Sequence, residues 1–209
     1  MSVRLDHIVF GCLDLDDGAA ALAAQLGAPP GGRGVHKMMG THNALWNMGD
    51  AYIELVAINP AAPHPGRPRW FGLDDEATQG RLAAGPRLLT WAVSGGPLAP
   101  ILARAPVALG PAENFSRDDL AWTVAVPVAG TPGLDGAFPL TLDWTAGMHP
   151  AKRLPDVGLR CGRLSVAHLD IEAARSALGE VEGPVEMSTG PFRLVANLTT
   201  PKGAATFAA

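Results

Sequence analysis

The stretch Val3-Arg4-Leu5-Asp6-His7-Ile8-Val9-Phe10, followed by Leu13-Asp14-Leu15-Asp16 and an alanine-rich run that closes on Gly27, sets the architecture. Val3, Leu5, His7 and Val9 recur with a period of two, so they are expected on one face of a buried strand. Asp14 or Asp16 suits the N-cap of a helix whose apolar stripe is Ala19, Leu22, Ala23 and Leu26, and Gly27 suits the position just past its end. Pro29 and the glycines up to Gly34 cannot prolong that helix. Further strands are expected over residues 43–48 and 51–58, with Gly49-Asp50 as the turn between them. The opening segment therefore reads β, α and then more strands.

The rhythm breaks and then returns. Pro60, Pro63, Pro65 and Pro68 enforce an irregular path, beside which stand Trp70-Phe71 and a short helix over residues 74–84. A strand over 87–94, a helix over 97–104 and strands over 120–126 and 140–144 follow. The pattern recurs as a strand over 163–167, a helix over 171–178 and strands over 192–198 and 204–208. Leu13-Asp14-Leu15 and Leu169-Asp170-Ile171 occupy equivalent strand-to-helix junctions, and Gly27 and Gly179 end the two helices. The chain divides into a first unit at 1–59, an irregular insertion or lid at 60–86, a second unit at 87–146 and a third, degenerate unit at 147–209. Gly11-Cys12-Leu13 is no phosphate-binding glycine loop, which disfavours a doubly wound nucleotide fold.

The composition narrows the function classes. With 209 residues, 47% hydrophobic and 17% charged, the chain buries a real core. A formal charge of −4 without a Lys/Arg cluster argues against nucleic acid and anionic membranes as partners. No apolar run approaches the ~18 residues of a membrane span. Met1-Ser2-Val3-Arg4 leads straight into a strand, with no secretory signal in view, so a cytoplasmic location is expected. Cys12 and Cys161, far apart in sequence, read as buried thiols of a reducing compartment.

Three blocks in order carry a resemblance: Leu5-Asp6-His7-Ile8-Val9, the segment from His36 through Gly40-Thr41-His42-Asn43-Ala44-Leu45, and Tyr52-Ile53-Glu54-Leu55-Val56-Ala57. Together they resemble the glyoxalase-like domain family of the vicinal-oxygen-chelate superfamily. Trp70-Phe71-Gly72-Leu73-Asp74, Thr90-Trp91-Ala92-Val93 and Leu140-Thr141-Leu142-Asp143-Trp144 extend the likeness, and the run from Leu194 to Gly203 suits it. The resemblance implies an α+β fold in which tandem βαβββ units form a curved mixed β-sheet cup with helices outside. It also implies a small-molecule ligand in the cup and chemistry on an oxygenated metabolite. A divalent metal ion (Zn, Fe, Mn or Ni) often assists that chemistry in the superfamily; a metal-free cup is the other option.

On that likeness His7 and Glu54 stand at ligand positions and are the catalytic candidates, with His42 as the third metal candidate. His7 points inward from its strand, and a carboxylate at Glu54 among apolar neighbours needs a partner. His36, His42, Asn43, Trp46, Trp91 and Asp143 are the substrate-binding candidates. The glycines around His36 and His42 let backbone approach a ligand. In the second unit Thr90 or Trp91 stands where a metal-binding relative offers an imidazole, so the four-ligand set shared between two units is incomplete. Two classes of function remain. One is a lyase, isomerase or dioxygenase, metal-assisted or using His7 and Glu54 as an acid–base pair. The other is a sequestering protein whose cup is lined by Trp46, Tyr52, Trp91, Trp122 and Trp144. Units pair across dimers in the superfamily, so a homodimer is one expected state.

Overall fold

The computed structural model describes residues 2–117, 120–144 and 148–209; the unit boundary expected at 146/147 falls outside them. Strand β1 (Ser2–Gly11) leads into helix α1 (Leu15–Leu26), followed by β2 (Gly32–His36), β3 (Thr41–Asn47) and β4 (Tyr52–Ile58). Asp14 is the N-cap of α1, its carboxylate accepting from the amides of Asp16 and Asp17 at 2.8 and 3.0 Å. Gly27 ends the helix at φ 76°, a left-handed conformation that suits glycine. Asp14→Ala is expected to cost about 1 kcal/mol in a urea melt, and an unchanged midpoint would deny the cap that role.

β4 returns parallel to β1, β3 adds antiparallel to β4 and β2 antiparallel to β3, in the order β2-β3-β4-β1. After helix α2 (Glu76–Leu82), the same plan repeats as β5 (Arg87–Ser94), α3 (Leu98–Leu102), β6 (Glu113–Arg117), β7 (Leu120–Val124) and β8 (Leu140–Asp143). β8 is parallel to β5, with β7 and β6 beyond it. β1 and β5 pair antiparallel and join the two units into one curved sheet. β2 and β6 form its two ends. The fold is α+β, as its tandem βαβββ units imply.

The rest of the chain builds β9 (Arg160–His168), α4 (Ile171–Leu178), β10 (Glu180–Glu182), β11 (Val185–Thr189), β12 (Arg193–Thr200) and β13 (Gly203–Ala208). Four of these strands make a separate sheet in the order β11-β9-β12-β13. β10 departs from it and pairs parallel with the start of β1, Ser2 beside Glu180 and Arg4 beside Glu182.

The even alternation expected along β1 is wrong at one place. Leu5 and His7 oppose consecutive residues of β5, Val93 and Ala92, so Asp6 is an extra residue in a β-bulge. Val3 and Leu5 consequently pack with Ile8 and Phe10 in one core, together with α1 and the four-stranded sheet. His7 and Val9 face the other way, into the cup. That second core holds Val56, Trp70, Phe115, Trp122 and Leu142. Trp70 and Phe71, from the Pro-rich insertion, are buried against it.

Candidate functional site

The cup holds a cavity lined by His7, His36, Tyr52 and Glu54 on the first unit's side and by Trp122 and Trp144 on the other. Period-two alternation along β4 aims Tyr52 and Glu54 inward, beside His7 on the neighbouring strand. Thr41 and Asn43 of β3 face the same way and reach their polar partners there.

Asp6, His7 and Glu54 form a buried chain of charge. His7 Nδ1 lies 2.7 Å from Asp6 Oδ1, an arrangement in which the imidazole donates to the carboxylate. The other oxygen, Asp6 Oδ2, accepts from Trp144 Nε1 at 2.8 Å and pairs with His149 Nε2 at 3.0 Å. Ala151 donates its amide to His149 Nδ1, so His149 presents its Nε2 proton to Asp6. Asp6 is fully buried. Burial pushes its carboxyl pKa up, but the hydrogen bonds and charges of His149 and His7 outweigh that and hold it well below the usual carboxylate range. Tyr52 stacks on the His7 ring at 4.5 Å and fixes its plane.

The far side of His7 differs. Its Nε2 is buried without a hydrogen bond among the described residues and lies 3.5 Å from Glu54 Oε2. Glu54 Oε1 accepts from Asn43 Nδ2 at 2.6 Å. The same amide nitrogen lies 3.3 Å from His36 Nε2, which is 3.7 Å from Glu54 Oε1. His36 Nδ1 meets Thr41 Oγ1 at 3.2 Å, and Trp70 Nε1 also donates to that hydroxyl. A consistent assignment has His36 donating through Nδ1 and accepting from Asn43 through Nε2. Trp122 Nε1 is a further buried donor that lines the cavity without a partner among the described residues.

Of the residues singled out from sequence, His7, Glu54, His36 and Asn43 come together, and Tyr52, Trp122 and Trp144 line the same cavity. His42, Trp46, Trp91 and Asp143 lie elsewhere. His42 follows Thr41 on β3 and points to the opposite face, near Asp14, Asp16 and Arg33. Partial burial lowers its pKa there, Asp16 and Asp14 oppose the shift, and Arg33 adds to it. Trp46 and Trp91 belong to the core behind the cup and donate to the carbonyls of Ala28 and Ala137. Asp143 lies in an open concavity with Arg4, Ser94 and Lys152. Sequence reasoning missed Asp6 and His149 as site residues. A charged Asp6 inside an apolar strand was a usable signal, because a regular strand would drive it into the core behind the sheet. Nothing local marks His149, which approaches from the far end of the chain.

The donors do not fit a chelated divalent ion. Across the β1–β5 seam His7 meets Ala92, Thr90 spends its hydroxyl on the Gly136 carbonyl, and Leu140 and Leu142 of β8 line the cavity on the second unit's side. The second unit thus offers alkyl groups where its half of a ligand set would lie. On the first unit's side, Asn43 already engages Glu54 Oε1 and His36 Nε2. Among the described residues no three His, Cys, Asp or Glu side chains are grouped to hold a metal. His42, on the far face, cannot join His7 and Glu54.

The cysteines stand apart from the cavity and are unpaired. Burial, aided by the charge of Asp14, pushes the Cys12 thiol up to about 12. Burial, partly offset by a backbone hydrogen bond at Arg163, pushes Cys161 to about 11. Alkylation by iodoacetamide at pH 8 is expected to run roughly a hundredfold slower than at an ordinary thiol. Mass spectrometry before and after denaturation checks this; rapid labelling of the native protein would contradict it. No helix is long and apolar enough to cross a membrane among the described residues.

Comparisons with known proteins bear on the fold. A hypothetical protein from Staphylococcus aureus aligns with a TM-score of 0.61 at 14% identity, covering 91% of this chain and 87% of that one. A methylmalonyl-CoA epimerase in complex with methylmalonyl-CoA aligns at 0.45 and 20% identity, covering 72% of this chain and 100% of that one. A mutant 4-hydroxymandelate synthase from Streptomyces coelicolor aligns at 0.46 and 14% identity, covering 99% of this chain and 62% of that one. No curated protein matches the sequence. The family model for the glyoxalase-like domain matches residues 5–182. Taken with the paired βαβββ units and the cup between them, that match makes the chain a member of the glyoxalase-like domain family, within the vicinal-oxygen-chelate superfamily.

Proposed function

We propose that the protein is an enzyme that moves a proton on a small carbonyl compound, with His7 as the general base. The observation that carries this reading is the asymmetry of His7: Nδ1 is tied to a buried carboxylate, whereas Nε2 is buried, unpartnered and at the cavity wall. The hydrogen bond to Asp6 selects the tautomer with its lone pair on Nε2, the arrangement a general base needs. His7 Nε2 takes the proton from a carbon next to the carbonyl; the C–H electron pair forms a C=C bond to the carbonyl carbon, and the C=O π pair moves onto oxygen. Trp122 Nε1–H, the unpaired donor of the same cavity, meets the resulting enolate oxygen. Asp6 and Glu54, both within reach of the new imidazolium, stabilise its charge. Return of the proton to the same carbon gives exchange or epimerisation, and return to a neighbouring atom gives isomerisation.

The test is proton–deuterium exchange in D₂O, followed by NMR, across a panel of ketones, hydroxyketones and aldehydes. Protein-dependent loss of signal next to the carbonyl is expected for part of the panel and absent in His7→Gln. Binding of panel members without exchange would sink the enzymatic reading and leave a sequestering protein in its place.

A further inference from the structure

The cavity at His7 adjoins another. A second cavity shares Trp70, Phe71 and Leu140 with it and continues past Pro127, Pro132 and Phe138. Among the described residues no ionisable side chain lines this second space. Of its two threonines, Thr90 donates its hydroxyl to the Gly136 carbonyl at 3.1 Å. Thr141 Oγ1 is buried without a partner among the described residues. The first cavity likewise has no lysine or arginine in its wall.

The walls are held in costly conformations. Phe71, Leu134 and Asp135 are the non-glycine residues with left-handed φ among the described residues, at 61°, 50° and 58°. They lie in two tight turns, 70–72 and 134–136, next to the second cavity. The first turn is pinned by the Gly72 amide, which donates to the Gly130 carbonyl at 2.9 Å. A β-carbon on Gly130 would fall 2.4 Å from the carbonyl oxygen of Arg69. Strained backbone of this kind persists where a wall has to keep its shape around a ligand.

We infer that the second cavity is a tail subsite. The substrate is then an uncharged carbonyl compound with its polar end at His7 and Trp122 and a flexible apolar chain packed between Trp70, Phe71 and Phe138. The position of the polar end rests on the proposed role of His7; the tail subsite rests on the second cavity itself. An anionic head is disfavoured because Glu54 faces it and, among the described residues, no lysine or arginine lines either cavity.

The experiment is an NMR titration with methyl n-propyl, n-pentyl and n-heptyl ketone. Kd is expected to fall about fourfold per methylene, roughly two-hundredfold across the series. Ala125→Leu, which fills the second cavity, is expected to weaken the heptyl ketone by about tenfold and the propyl ketone by less than about twofold. Thr141→Val removes the lone hydroxyl at constant shape and is expected to tighten the heptyl ketone. A Kd that does not change with chain length in the wild-type protein overturns the inference, and so does equal weakening of both ketones in a folded Ala125→Leu variant. In His7→Gln the chain-length dependence is expected to persist. A preserved slope without proton exchange would therefore remove the acid–base reading alone, whereas a flat series with exchange intact would remove the tail subsite alone.

Discussion

Replacing His7 by Gln is expected to lower proton exchange by about a hundred- to ten-thousandfold while leaving the fold in place. The loss should fall on the rate at saturating ligand rather than on binding, because His7 is asked to act on the proton and not to anchor the molecule. Gln is close to His in reach and offers an amide toward Asp6 Oδ1, so the buried carboxylate keeps a donor there. Circular dichroism and the melting temperature should change little. Glu54→Gln provides the contrast: it retains the acceptor used by Asn43 and removes the charge facing His7 Nε2. Its expected effect is smaller, about ten- to a hundredfold on the same rate. A His7→Gln protein that exchanges as fast as wild type would place the base elsewhere.

Asp6→Ala is expected to be the most destabilising single change at the site, by about 3–5 kcal/mol at pH 7. Three donors converge on this carboxylate, from His7, Trp144 and His149, and all would be left facing a cavity. The pH dependence has a definite sign. Asp6 has a lower pKa folded than unfolded, so its stabilisation is present above the unfolded value near 3.8. It is lost as pH falls from there toward the folded value. The stability gap between wild type and Asp6→Ala, measured by urea melts, should therefore be full at pH 7 and narrow below pH about 4. A gap that persists unchanged at pH 3 would assign the effect to lost packing.

Most strands of the interior were legible because alternation and β-branched residues mark them; β4 reads Tyr-Ile-Glu-Leu-Val-Ala-Ile, and its inward face followed correctly. The helices α1 and α4 announced themselves by Asp14 and Gly27 and by Asp170 and Gly179. The strands overlooked in the large sheet are β2 and β6, its two ends, and the three-residue β10. An end strand packs on one side only, so Gly-Arg-Gly-Val-His and Glu-Asn-Phe-Ser-Arg carry little apolar pattern. At the site, His7, Glu54, His36 and Asn43 were found because resemblance pointed to their blocks. His42 stood in the same block as His36 and Asn43, and Trp91 in one that extends the likeness, but strand alternation puts both, and Trp46, on the face away from the cavity. Asp6 was hidden by the assumption of an unbroken period, and a single inserted residue reverses which neighbours share a side.

The short pairing of β10 with the beginning of β1 bears on hydrogen exchange. β5 runs along one edge of β1, while β4 covers the other edge over His7–Gly11 and β10 covers it over Ser2–Arg4. Local opening that frees the amides of β1 therefore has to separate both βαβββ units and detach the C-terminal segment as well. These amides are expected to be among the last to exchange with solvent, which would keep Asp6 and His7 in register through the fluctuations that fray the ends of the sheet.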